Sequence, residues 1–159
     1  MVEMLVYLAL MTIITLTVVQ SLIVVLKSNR TSFAEVNLRN AGYSAMEGIL
    51  REIYSSESID LPTNSGSLLQ MVQNNSATVV RFSTSSTGVL NLYEGSSSST
   101  AVFIGPLTSK GITVKSLTFT KTNTGKSLAI RIQMRLETTV NGITKSEWFY
   151  GTGILRGSY

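Results

Sequence analysis

The chain has no cysteine and no histidine among its 159 residues. Without a thiol there is no disulfide and no thiolate chemistry, and without an imidazole the many serines have no histidine to activate them and no metal can be held by one. Proline is nearly missing as well: Pro62 and Pro106 are the two in the chain, so the first 61 positions contain none of this helix breaker. Charge is scarce, at 14% of residues, and Glu3 is the single formal charge within residues 1–26. All thirteen Lys and Arg fall from Lys27 onward together with eight of the nine acids, a balance of +5 outside the apolar segment. That excess suits an anionic surface or nucleic acid without requiring either.

What is present begins with the apolar run itself, MVEMLVYLALMTIITLTVVQSLIVVL. A helix over it is roughly 39 Å long, enough to cross a hydrocarbon core of about 30 Å with some tilt. A secretory signal peptide has a basic start, a shorter apolar region and a small-residue cleavage site, and this run has none of them, so it is expected to be retained. Glu3 is its informative residue, because a carboxylate inside lipid is costly. It either sits at the interface, favoured there by the positive end of the helix dipole, or meets a cation once the helix packs against copies of itself.

Residues 27–54 continue without proline, and Gly42 and Gly48 are the weak points of an otherwise helical pattern. Phe33, Val36, Tyr43, Met46, Leu50 and Ile53 recur at helical spacing and predict one buried stripe, with Arg39, Asn40, Glu47 and Arg51 on the remaining face. The expectation is one helix over about residues 1–54, apolar all round in its first half and amphipathic in its second. Ser55-Ser56-Glu57-Ser58 and Leu61-Pro62-Thr63-Asn64-Ser65-Gly66 are read as the turns that end it.

Residues 55–159 then form a β-rich domain of about 105 residues, ample for one core. Strands are expected near 67–72, 78–83, 89–93, 101–105, 113–121, 128–138 and 143–150. In the sixth, Leu128, Ile130, Ile132, Met134 and Leu136 alternate with Ala129, Arg131, Gln133 and Arg135, one face buried and one wet. Asn123-Thr124-Gly125-Lys126 and Asn141-Gly142 are hairpin signals, so the C-terminal third is expected to be an antiparallel meander. Residues 83–88 and 95–100 read as flexible connectors. The fold class is therefore α+β, a long helix whose C-terminal half packs on an antiparallel sheet domain.

The run Met1-Val2-Glu3-Met4-Leu5-Val6-Tyr7-Leu8-Ala9-Leu10 resembles the N-terminal segment of type IV pilins and type II secretion pseudopilins. Ser44-Ala45-Met46-Glu47-Gly48-Ile49-Leu50-Arg51-Glu52-Ile53 is similar to the stretch that ends the long helix in J-type minor pseudopilins and W-type minor pilins. The similarity covers about the first third of the chain. It implies a pilin-like fold, with Glu3 as the assembly glutamate, the fifth residue of a mature chain cut by a prepilin peptidase two residues upstream of Met1. It further implies partners: other copies or other pilins through the helix, membrane lipid before assembly, an assembly platform and a cytoplasmic ATPase. Lys27 and Arg30 after the apolar run, with no basic residue before it, would leave the C-terminal part in the cytoplasm. A short basic leader removed from the start reverses that orientation and places the domain outside.

Candidate chemistry is thin. Thr124-Gly125-Lys126-Ser127 lacks the glycine that a phosphate loop needs, since residue 120 is Thr120, and it lies between strands, so it reads as a hairpin. The carboxylate pairs Glu47 with Glu52 and Glu57 with Asp60 read as solvated or helix-end residues. No cofactor, metal site or enzymatic activity is expected. Arg131 and Arg135 share a strand face, and with Lys121, Lys126 and Lys145 on adjoining hairpins they are candidates for a basic face that touches DNA phosphates, or for an ordinary charged face beside Glu137 and Glu147. Trp148-Phe149-Tyr150 reads as a buried last strand or subunit contact before a ligand platform. Three functions follow: a filament subunit, with a minor class preferred; a signal-anchored surface binding protein that never polymerises; and a DNA-uptake or adhesion pilin using the basic face.

Overall fold

The computed structural model describes residues 2–73, 78–97, 99–123, 127–140 and 142–155. One helix, α1 (Val2–Ser55), fills the first third of the chain. The strands that follow are β1 (Ser58–Leu61), β2 (Ser65–Gly66), β3 (Leu69–Gln73), β4 (Thr78–Thr84), β5 (Leu90–Gly95), β6 (Val102–Pro106), β7 (Ile112–Asn123), β8 (Leu128–Val140) and β9 (Ile143–Ile154). They form two antiparallel sheets, one in the order β1-β3-β4-β5-β6 and one in the order β2-β7-β8-β9. This is the expected α+β arrangement, consistent with a pilin-like architecture. Thr124-Gly125-Lys126 lies outside the described residues, as does Asn74-Asn75-Ser76, a triplet that matches a glycosylation sequon.

The expected C-terminal meander is present as β7-β8-β9, with Asn123 opposite Leu128 and Val140 opposite Ile143 across the two hairpins. Alternation on β8 is as read: Ile130, Ile132, Met134 and Leu136 are fully buried, and Arg131 is exposed. The segment expected to be only turns after the helix differs. Residues 58–61 pair with β3, residues 65–66 pair with β7, and the Lys121 amide donates to the Asn64 carbonyl at 2.8 Å, so this short stretch stitches one sheet to the other. Strands this short carry too little alternation to outweigh their serine, proline and asparagine.

The buried stripe of α1 is also not the one expected. Ala34, Leu38, Ala41, Ala45, Ile49 and Ile53 are buried, together with Gly42, Met46 and Gly48, while Phe33, Val36 and Tyr43 stand in solvent. Of the expected stripe, Met46 and Ile53 are buried and Leu50 packs partly against the core. The reason is the closeness of the helix to β9. A Cβ on Gly42 would lie 2.1 Å from the Phe149 ring, and one on Gly151 or Gly153 would lie 2.9 Å from Met46 or 2.7 Å from Ile53. Glycine on either surface makes room for a large side chain of the other, Gly42 for the Phe149 ring and Gly151 and Gly153 for Met46 and Ile53, while Phe33 and Val36 face away and Tyr43 meets Phe149 edge-on with centroids 5.6 Å apart. The helix side chains and the inner faces of both sheets join in one core that includes Leu38, Ile49, Phe82, Phe119 and Ile132, each contributing about 1.5–3 kcal/mol on burial.

The C-terminal end of α1 is held from outside. Gln73 on β3 donates through Nε2 to the Glu52 carbonyl at 3.3 Å, to Glu52 Oε2 at 2.9 Å and to Ser55 Oγ at 2.9 Å. The buried Ser56 hydroxyl also donates to the Glu52 carbonyl at 2.6 Å. These donors reach a carbonyl that the helix leaves without an intrahelical partner.

Candidate assembly helix and outer sheet face

The first half of α1 projects bare. Residues 2–30 are all exposed, and the apolar window within the helix has a mean hydropathy of 2.4 with none of it buried. By length and composition it can cross a membrane. Its threonines are already provided for: Thr12 donates to the Ala9 carbonyl at 2.7 Å, Thr15 to Met11 at 2.8 Å and Thr17 to Ile13 at 2.7 Å. Hydroxyls bonded to their own helix add little cost in lipid, where an unsatisfied polar group is expensive. Glu3 stands exposed in the first turn, beside amides that have no intrahelical acceptor.

Where the helix meets the domain, Arg39 forms the main polar tie. Its Nε donates to Glu147 Oε2 on β9 at 3.1 Å, and its Nη2 lies 3.1 Å from Glu35 Oε1 one turn earlier. The hydrogen bond that Arg39 donates to Glu147, then the charges of Glu147 and Glu35, raise the guanidinium above its ordinary pKa.

The four of the five candidate basic residues that are described do not form one patch. Side chains on neighbouring strands share a face only when they stand opposite each other or two positions apart. Arg131 is opposite Thr120 and Thr152, and Arg135 is opposite Ser116 and Trp148, so both look outward. Lys121 is opposite the buried Ile130, and its Nζ donates to the Ile59 carbonyl at 2.9 Å, on the inner side of the sheet. Lys145 is opposite Thr138, which is buried and donates to the Gly111 carbonyl at 3.1 Å, so Lys145 also belongs to the inner side. Lys126 lies outside the described residues.

What joins Arg131 and Arg135 is aromatic. Of the run Trp148-Phe149-Tyr150, Phe149 enters the core, while Trp148 and Tyr150 are 46% and 62% exposed on the outer face. Their rings lie within 15° of parallel with centroids 6.1 Å apart, and the Arg135 guanidinium sits 5.9 Å from the Trp148 centroid. Arg135 Nη2 also donates to Ser146 Oγ at 3.1 Å. Reading the three aromatics as one run missed this split; the same period-two alternation seen on β8 was available for β9. The two acids expected beside the arginines are engaged otherwise: Glu137 pairs with Lys115 at 3.2 Å, and Glu147 faces the helix through Arg39. Among the described residues no three acidic side chains group as metal ligands would.

No protein-family model matches this chain, and no curated protein or solved structure does either.

Proposed function

We propose that this chain is a structural subunit of a type IV pilus-like filament, of the minor pilin or pseudopilin class. It waits in the cytoplasmic membrane as a single-pass protein with its β domain outside, and it polymerises into an extracellular filament through α1. The observation that carries this reading is a single unbroken helix with one half bare and apolar and the other half docked on a sheet domain. The bare half holds fifteen Leu, Ile and Val residues, each favouring the bilayer centre by about 0.3–0.6 kcal/mol, which together exceed the cost of one acid, about 2.5–3.5 kcal/mol even at mid-membrane.

Assembly moves that half from lipid into a bundle of like helices. Its surroundings stay apolar, so the gain comes from packing and from polar pairing, not from a fresh hydrophobic effect. Glu3 sets register by meeting a cation of a neighbouring copy, such as an α-amino group. The subunit needs no covalent chemistry; extraction is driven by a separate motor.

The test is incorporation of Glu3→Ala into filaments in cells carrying the assembly machinery, read by electron microscopy and by membrane fractionation. The expected outcome is normal membrane insertion with filament incorporation lost. A wild-type chain that stays uncut and monomeric in the membrane, with Glu3 freely replaceable, would instead establish a signal-anchored surface protein.

A further inference from the structure

The outer face of β8 and β9 carries more than charge. We propose that it binds single-stranded nucleic acid, with Trp148 and Tyr150 stacking successive bases and Arg131 and Arg135 contacting phosphates. Large aromatics on the solvent side of a sheet are normally turned inward or covered, yet both rings stand in the open, two positions apart on the strand at the sheet's free edge. The spacing of the rings, 6.1 Å and nearly parallel, presents two π surfaces in sequence along β9. Open sheet faces that carry such rings are a known physical solution for splayed bases, because every base offers a π face whatever its identity.

The arginines supply the complementary half. Four residues apart on β8, they stand about 13 Å from each other along the strand, Arg135 directly opposite Trp148 and Arg131 opposite Thr152, one same-face step past Tyr150. Arg135 is already fixed by Trp148 and Ser146, so little ordering is left to be done on binding. With Lys115 and Glu137 included, the face keeps a balance of +2, because Glu147 lies on the opposite side. A duplex fits these features less well. Its bases are closed to the rings, and two arginines neutralise too few phosphates to hold it by charge alone.

The chemistry does not depend on polymerisation, and the test uses the full-length chain in nonionic detergent. Fluorescence anisotropy is measured with a short labelled oligothymidylate, with a duplex of equal length and with a neutral polysaccharide as competitor. The single strand is expected to bind more tightly than the duplex, with a slope of log affinity against log salt near −1.4, about −0.7 for each of two phosphates. Trp148→Leu, which keeps apolar bulk but removes the π face, is expected to weaken binding roughly tenfold, as is Tyr150→Ala, while thermal melts stay unchanged. Arg131→Ala with Arg135→Ala is expected to flatten the salt slope. Absence of binding, equal or tighter binding of the duplex, indifference to Trp148→Leu, or displacement by the neutral polysaccharide would each overturn the proposal. None of these results bears on filament incorporation, which reads Glu3.

Discussion

The two halves of α1 share one backbone and one set of hydrogen bonds, yet they are stabilised by different means. Residues 31–55 place Leu38, Ala45, Ile49 and Ile53 against a sheet and exchange water for protein. Residues 2–26 touch nothing in the domain and expose leucine, isoleucine and valine on every side. A helix usually owes its persistence to the burial of one face. The bare half has no such face, and by length and composition it can cross a membrane. The difference teaches that apolar content alone does not say where a helix is buried; a face that combines small residues with large ones does.

The sharpest way to break the comparison is to make the same cut in both halves. Ile49→Ala, which opens a cavity at a fully buried site, is expected to lower the stability of the β domain by about 2–5 kcal/mol in denaturant melts of the detergent-solubilised chain. Ile13→Ala, 60% exposed on the bare half, is expected to leave that melt unchanged. Equal losses would mean that the halves are not separate in the way described.

Next in size is Gly42→Ala. At an exposed helix position this change stabilises by up to about 1 kcal/mol. Here the added Cβ overlaps three atoms of the buried Phe149 ring, and the expected outcome is a loss of about 1–3 kcal/mol in the same melt. A gain in stability would show that Phe149 can move aside and that close approach is not what requires glycine at residue 42.

The smallest effect is expected from Arg39→Ala, which removes an exposed tie between helix and β9. The guanidinium is raised above its ordinary pKa on folding, so its contribution is fully present below that ordinary value and is lost only as pH rises through the raised one. The small drop in melting temperature should therefore be the same at neutral and mildly alkaline pH, and it should shrink with added salt.

Much of this architecture could be read from residue order. The absence of proline before Pro62 and the apolar start marked out a helix of nearly the observed length, and period-two alternation located β8 and the meander around it. The buried stripe was misread because large side chains were taken as the sign of burial and the small residues Ala34, Ala41, Gly42, Ala45 and Gly48, which share the buried face with Leu38, Met46, Ile49 and Ile53, were passed over. The basic face was misread for a different reason: neighbouring hairpins do not reveal which lysines share a face until register is known, and Lys121 opposite Ile130 falls on the wrong side by one position. Trp148 and Tyr150 became legible as a surface pair only once Phe149 between them was seen to enter the core.

Gln73 and Phe149 give α1 a mechanical role as well. The helix runs from Val2 to Ser55 with no proline to bend it, so tension applied at its N-terminal half is carried along one continuous helix into the domain. The buried Ala34 and Leu38 stand first in the path of that pull, then the Arg39 contact and the Phe149 ring lodged at Gly42, with the Gln73 clasp further on at Glu52. A chain drawn lengthwise from that end thus loads the packing of Ala34 and Leu38 first, and the ring in its notch before the far clasp.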